Sequence, residues 1–518
     1  MLIKFRLEAE RYTMEQAAKF RSRAPFVLAL DVGTSSTRAL LFDASGTVVP
    51  GIQAQDSYEL TLSEEGEVSV DADKLVAAVA STIDEALKAA GPLASSIEAV
   101  AADTFWHSLV GVDRDGRPLT PLITWEDTRP RQAAAELNRQ LDRVAIHQRT
   151  GARLHASYWP AKLRWLATTA PEVYARVAQW LSFGEYLHRQ LLGRSVCSFS
   201  MASGTGMLVT RTRQWDRELM SVLGVRPEQL PPLGDLNESL SGLTPAYASR
   251  WPALRDVPWF PAIGDGAAAN AGSGCAVEGN WALTIGTSSA MRVVVAPEQV
   301  VPSSGVWLYL LDAKRALLGG ALSEGGNIFA WMAETLRLSS LKEAEPLVAK
   351  LPADGHGLTM LPFISGERSP GWHAEARMVA AGISTRTQPV DLLRAAMEAL
   401  AYQLGAVYQQ LLLALEVKEG ARPKLIGSGG ALLSSPTLQQ IVVDTLGTPL
   451  YPSQEHEASA RGVALLALSA MGILPDVGEV LPELAEPVQP DARRGEIYQK
   501  AAARQAQLYK TLLGDVGE

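Results

Sequence analysis

The tetrapeptide Gly-Thr-Ser-Ser occurs twice in this chain, at Gly33 to Ser36 and at Gly286 to Ser289, each time between short apolar runs rich in β-branched residues. In the first copy Phe26-Val-Leu-Ala-Leu-Asp-Val precedes the glycine and Arg38-Ala-Leu-Leu-Phe follows. In the second, Trp281-Ala-Leu-Thr-Ile precedes it and Met291-Arg-Val-Val-Val follows. Each copy reads as strand, tight glycine turn, strand. Such a turn presents backbone N–H groups and hydroxyls at its tip with little side chain in the way, which is the equipment for holding phosphate oxygens. One copy in each half implies a tandem of related folds, each turn facing a central cleft, with a phosphate gripped from both sides.

At 518 residues and 47% hydrophobic content, the chain can bury more than one core. Its net charge of −9 gives no electrostatic reason to expect a nucleic acid or an anionic membrane as partner, so an anionic substrate needs a local basic pocket. Two cysteines, Cys197 and Cys275, make no disulfide framework and lack metal-ligand spacing, which fits a cytoplasmic protein. No apolar run reaches the roughly 18 residues of a membrane-spanning helix. Residues 1–24 mix basic and acidic side chains without the apolar stretch of a secretory signal, and no function is assigned to them.

Strand and helix signals alternate along the chain, and the Phe26 to Phe42 hairpin adds antiparallel pairs, so the expected class is α/β with mixed sheets flanked by helices. A helix is expected from Leu75 to Ala90 and a buried strand from Ile97 to Asp103. A helix-rich stretch follows from Arg131 to about Gly193, broken by Gly151 and Pro160. Later come helical spacing at Asn327 to Leu338, one long helix over Val390 to Leu415, and a strand at Leu425 running into a glycine turn. Helices at Thr437 to Leu446 and Ala458 to Met471 complete the pattern. The expected division is an extension at 1–24, an N-terminal domain at 25–274, a C-terminal domain at 275–475 and a helical tail at 476–518.

Three segments carry chemistry. Asp31-Val-Gly-Thr-Ser-Ser-Thr-Arg38 adds a carboxylate for Mg²⁺ and a guanidinium for developing charge to its phosphate turn; the second copy has Thr284 and Met291 at those places. A plain hairpin turn whose hydroxyls satisfy its own backbone is the other reading. Gly264-Asp265-Gly266 sets one acid between two glycines, which would let a substrate hydroxyl approach a catalytic base; Asp265 as the cap of a helix from Ala267 is the alternative. Gly427-Ser-Gly-Gly-Ala-Leu-Leu-Ser434 lies between strand and helix, where small residues let a ring or ribose approach the backbone, but it is neither a dinucleotide fingerprint nor a Walker A loop. Trp106-His107 and Trp125-Glu126-Asp127-Thr128-Arg129 form polar and aromatic clusters near strand ends, open to reading as packed core or as a polyol site. Gly366-Glu-Arg-Ser-Pro-Gly-Trp372 is a further polar loop that a glycine- and proline-rich turn explains without a ligand.

Taken in order, these motifs resemble the FGGY carbohydrate kinases of the actin, Hsp70 and hexokinase ATPase superfamily, over about residues 26–475. The resemblance implies two ribonuclease H-like domains around a central cleft. It places the first phosphate turn at Gly33, Thr34, Ser35 and Arg38, the second at Gly286 and Thr287, and the adenosine site at Gly429, Gly430 and Ser434. It makes Asp265 the catalytic base and Asp31 the holder of Mg²⁺, through water, with ATP as phosphate donor. Trp106-His107-Ser108, Thr124-Trp125-Glu126-Asp127, Ser200 to Gly206 and Thr284 to Arg292 look most like gluconate kinases, although Trp106 and Glu126 depart from the methionine and alanine usual there. The implied sugar site is Trp106, His107, Asp127 and, from the Tyr158-Trp-Pro-Ala-Lys162 segment, Lys162, which would offset a carboxylate or else lie exposed on its helix. The expected reaction is phosphorylation of a primary hydroxyl, foremost D-gluconate to 6-phosphogluconate. A pentulose or polyol kinase is the alternative, and a non-kinase ATPase or a sugar sensor the alternative from another class. A homodimer is the assembly held open.

Overall fold

The computed structural model describes residues 23–338, 340–418 and 422–514, so nearly all of the N-terminal extension lies outside the described residues. The chain forms two compact units. One comprises the residues up to Gly274 together with Tyr309–Arg315 and Glu457–Val480; the other comprises Cys275–Leu308, Ala316–His456 and Leu481 onward.

In the first unit a five-stranded sheet runs in the order Val48–Ser57, Ser36–Phe42, Phe26–Val32, Ile97–Thr104, Ile263–Gly264. The first three strands pair antiparallel and the last two join in parallel. Every residue of Phe26–Val32 is buried, as a central strand covered on both faces requires. One cover is the helix Ala72–Ala90, capped by the Asp71 carboxylate on the N–H groups of Asp73 and Lys74, with Leu75, Val79, Ile83 and Ala86 on its buried side. The other includes the helix Ala458–Ala470, returned to this unit from late in the chain. Its Gly462 meets the backbone of Asp265–Gly272 at Ala268, and Gly272 meets Ala458 in turn. A second core, around Trp159, Leu163, Trp180 and Leu219, gathers the helix-rich stretch. There Gly151 ends a helix in the left-handed conformation. Pro160, expected as a break, instead sits in the first turn of the helix Trp159–Thr169, where its missing N–H costs nothing.

The second unit repeats the order. Ala316–Leu322, Ser289–Val295, Asn280–Ile285, Lys424–Ser428 and Leu450–Pro452 follow one another, the first three antiparallel and the last two parallel, with the strand Trp307–Leu310 added at the edge. The long helix Pro389–Ala414 and the C-terminal helix Ala492–Leu513 join through a buried polar network. Arg394 donates to Glu398 at 2.6 Å and to the Tyr498 hydroxyl at 2.6 Å, while His356 (3.0 Å) and Tyr402 (3.1 Å) reach the other Glu398 oxygen. Asp354, beside them, is held by Arg504. Burial works to raise the Glu398 carboxyl, but His356 and Arg394 outweigh it and hold the group below its ordinary value. The Asp354, His356 and Glu398 cluster thus has its charge met by arginines of the same network. Glu398→Ala leaves Arg394 buried without its counter-charge, and a loss of about 3–5 kcal/mol is expected from chemical denaturation.

Candidate active site

The chemistry of the first unit gathers at the carboxyl ends of three neighbouring parallel strands, where open α/β sheets bind ligands. Register places it there. Asp31 stands opposite Arg38 across the hairpin and beside Asp103 on the next strand, while Ile263 pairs with Asp103, so Asp265 follows two residues beyond that level. Arg38 donates one N–H to Asp31 and another to Glu457. Burial opposes the guanidinium charge, but Asp31 and Glu457 outweigh it and raise the Arg38 pKa. Asp103 is fully buried, and among the described residues no donor reaches either carboxylate oxygen; what lies against it is the Asp31 carboxylate. Burial pushes it well above the ordinary carboxylate range, with Asp31 and then Asp265 adding to the shift and Arg38 opposing it. Its polar neighbour Asp31 is itself a carboxylate, which offers it no donor unless one of the two holds a proton.

Asp265 is half-buried and is the first residue of the helix Asp265–Gly272, for which Gly264 is the cap; the reading of Asp265 as cap of a helix from Ala267 is corrected accordingly. Its Oδ1 accepts the Gly266 N–H at 2.7 Å. The neighbouring glycine is explained differently from the expectation. A Cβ at Gly264 would run into the indole of Trp106, so the space read as room for a substrate hydroxyl is filled by that ring.

The two phosphate turns are alike in sequence and unlike in register. In the first, Val32 is opposite Thr37, leaving Gly33 to Ser36 as the loop; in the second, Ile285 is opposite Ser289, leaving one residue fewer. Met291 therefore stands opposite Leu283, whereas Arg38 stands opposite Asp31. Gly33 N–H donates to Ser36 O at 3.0 Å and the Tyr58 hydroxyl donates to Gly33 O, fixing the first turn with Thr34 half-buried and Ser35 exposed. In the second unit Gly286 O accepts Gly326 N–H at 2.6 Å, Thr287 O accepts Asn327 N–H at 3.2 Å, and the Thr284 and Ser428 hydroxyls are 2.9 Å apart. Thr284 pairs with Ser428 on the adjacent parallel strand, so Gly286 and Thr287 sit at the same end of that sheet as Gly429 and Gly430. Gly429 has φ of +93°, and a Cβ there would strike the Ile285 carbonyl; Gly430 faces open space, and Ser434 is exposed at the end of the short helix that follows.

The expected sugar residues divide into two groups. Trp106 and His107 form an aromatic cluster with Tyr158 and Tyr309, with ring centroids 5.0 Å apart for Trp106 and Tyr309 and 4.8 Å for His107 and Tyr158. The Trp106 Nε1–H donates to Ser200 O at 3.1 Å, and the ring packs against Gly204 as well as Gly264. Tyr309 lies in a distant part of the sequence and carries no motif; sequence reading missed it for that reason. His107 has φ of +68°, a left-handed backbone that costs a non-glycine residue about 1–3 kcal/mol. Lys162, the proposed counter-ion, is wholly buried beneath it, and its Nζ donates to His107 O at 2.6 Å. Asp127, 1% exposed, accepts from Arg129 at 2.6 Å and from the Val68 and Arg129 N–H groups. Both charges are thus spent on the protein itself. The Gly366 loop is likewise internal: Glu367 accepts from Tyr509 at 2.6 Å and from the Gly371 N–H at 3.2 Å.

Burial lowers the Lys162 pKa to about 7, with Asp127 opposing. An unfolded lysine titrates near ~10.4. Between those values the unfolded chain holds more protons than the folded one, so stability rises with pH at up to about 1.4 kcal/mol per unit. Urea denaturation between pH 7 and 10 is expected to show that slope in the wild type and a shallower one in Lys162→Met.

The chain matches the FGGY family of carbohydrate kinases, N-terminal domain, over residues 26–272, and the C-terminal domain of the same family over residues 281–471. Among relatives, the gluconokinase of Bacillus subtilis (strain 168) is 26% identical over 86% of this chain and 88% of its own length. The glycerol kinase of Acidovorax sp. (strain JS42) is 31% identical over 88% of this chain and 92% of its own. Among solved structures, a gluconate kinase from Lactobacillus acidophilus superposes with a TM-score of 0.86 at 26% identity, covering 95% of this chain and 99% of that one. A ligand-bound xylulose kinase from the same organism gives 0.87 at 26% identity, with the same coverage. Among the described residues no helix is long and apolar enough to cross a membrane. With both family domains present in order and the fold shared along nearly its whole length, this chain belongs to the FGGY family of ATP-dependent carbohydrate kinases.

Proposed function

We propose that this kinase phosphorylates a primary hydroxyl of a small sugar acid, D-gluconate foremost, with ATP·Mg²⁺ as donor. The observation that carries the phosphotransfer chemistry is the half-buried Asp265 at the strand ends, one residue from the glycine on which Trp106 rests. A hydroxyl held along the Trp106 and His107 wall comes within reach of that carboxylate, which orients it and accepts its proton as the new O–P bond forms and the bond from the γ-phosphorus to ADP breaks. The Gly33, Thr34 and Ser35 turn and Arg38 receive the transferring phosphoryl group. Gly286 and Thr287 hold the remaining nucleotide phosphates, with the adenosine along Gly429, Gly430 and Ser434. The catalytic contribution is positioning and charge neutralisation.

The side-chain ligands at the strand ends are carboxylate oxygens, which fit a hard divalent cation. Asp31 would hold Mg²⁺ through water. Mg²⁺ bound there supplies positive charge to the phosphate oxygens. Lys162 serves the sugar from below, by holding the His107 backbone in its left-handed conformation.

Gluconate is favoured by the likeness to the gluconokinase of Bacillus subtilis and the gluconate kinase of Lactobacillus acidophilus. A pentulose or polyol is the second reading, supported by the equal likeness to a xylulose kinase and by the absorption of the Lys162 charge into the fold. His107 and His155, whose rings both pack on Tyr158, are the hydrogen-bonding groups that would recognise a sugar acid in place of that lysine.

A coupled ADP-release assay over gluconate, xylulose, ribulose, glycerol and sedoheptulose is expected to give the highest kcat/KM with gluconate; a higher value with any other sugar replaces it. Asp265→Asn is expected to lower kcat by at least about 10²-fold while ATP affinity, measured by calorimetry, stays within a few-fold. Wild-type turnover in that variant removes Asp265 as the base.

A further inference from the structure

Asp103 is the one acid at the strand ends to which the reaction above gives no task. Its position is set by pairing: Ile97–Thr104 lies between Phe26–Val32 and Ile263–Gly264, all three parallel, and Asp103 is in register with Asp31 on one side and Ile263 on the other. In-register residues of neighbouring strands point to the same face, so Asp31 and Asp103 share a face. Two carboxylates at that spacing repel unless a positive group lies with them. The guanidinium nearby, Arg38, is engaged by Asp31 and Glu457. Asp103, fully buried, has only the Asp31 carboxylate against it, and no donor among the described residues reaches either of its oxygens.

A group in that state needs a cation or a proton, since an isolated buried carboxylate costs several kcal/mol. The ligand set here suits a cation. The donors here are oxygens alone, Mg²⁺ is commonly held by one or two carboxylates with water and phosphate oxygens completing its shell, and the phosphate turn Gly33 to Ser35 opens at this same strand end.

We propose that Asp103 is the second carboxylate of the divalent-cation site, binding the ion together with Asp31 and preloading it at the strand ends before nucleotide arrives. The proposal rests on the kinase reading for the purpose of the ion, but ion binding is measurable with neither ATP nor sugar present, so the two can fail separately.

The test is a titration of the full-length protein with Mn²⁺ alone, following the free-ion electron paramagnetic resonance signal, and its repetition on Asp103→Asn and Asp103→Ser. Both substitutions remove a buried acid that no donor among the described residues reaches, so folding is expected to survive them. The expected result is a Mn²⁺ ion displaced by Mg²⁺ in the wild type and at least tenfold weaker binding in both variants, with Mg²⁺ raising the wild-type Tm and leaving that of the variants unmoved. Equal Mn²⁺ affinity in wild type and variants overturns the proposal. So does a wild type that binds no Mg²⁺-displaceable Mn²⁺, whatever the variants do. A higher Tm for Asp103→Asn without any cation, together with a wild type indifferent to Mg²⁺, would mark Asp103 as a buried acid kept neutral by a proton. ADP release with a sugar and no Mn²⁺ site would leave the kinase reading standing and this one refuted.

Discussion

The parallel pairing of Phe26–Val32 with Ile97–Thr104 is the constraint on which the first unit depends, because it sets Asp31 and Asp103 side by side, both buried, at the carboxyl end of the sheet. Like charges there are unfavourable, and apolar burial of the strands that carry them raises that cost, which pushes the Asp103 carboxyl up; the apolar area buried along the same strands offsets it. Arg38 is the internal reply. It reaches Asp31 from across the hairpin and is itself steadied by Glu457, at the entry to the returned helix Ala458–Ala470. That helix cannot leave without exposing Gly272 and the backbone it covers, so the charge arrangement and the packing of the late helix support one another.

The two units share one strand order and differ in the side chains at its ends. Strand order and direction repeat, yet the ends of the equivalent strands carry acids in one unit and hydroxyls and glycines in the other. Asp31 and Asp103 are paired at the first sheet's carboxyl ends; Thr284 and Ser428 are paired at the second's. A one-residue difference in hairpin register goes with this. It aligns a cation with the acid in the first turn and leaves Met291 against Leu283 in the second. Uncharged donors suit phosphate groups that stay put during the reaction. Charges suit the place where charge moves.

Much of this was legible in the sequence, and the reasons differ by element. Both hairpins, the helix Ala72–Ala90 and the long helix Pro389–Ala414 announce themselves through periodicity and glycine or proline punctuation, which act locally. Asp103 was visible as the polar end of a buried strand, but its orphaned state depends on what two other strands bring beside it. Lys162 reads as an exposed helical lysine because four residues of context cannot show a helix enclosed on the lysine's side as well. Gly264 reads as open space because the indole that fills it belongs to a strand end far back in the chain. Tyr309 and Glu457 reach the first unit from segments embedded in the second half of the sequence, a placement that no local pattern encodes.

The clamping of Trp106 bears on specificity more than its size does. Gly204 and Gly264 are both placed so that any side chain larger than hydrogen would collide with the indole, and Ser200 holds its N–H. Through Gly264 the ring is tied to the residue before Asp265, so the proposed sugar wall and the proposed base are packed together. His107 is fixed from the other side by its carbonyl on Lys162 and its ring on Gly204 O. Under the proposed function, a substrate would have to fit a preset distance between this aromatic cluster and the Asp265 carboxylate. Discrimination among polyols would then rest on which hydroxyl reaches Asp265 when the remainder of the substrate is hydrogen-bonded. A site built this way rejects analogues that leave its buried polar groups unpaired more strongly than those that differ by a methylene.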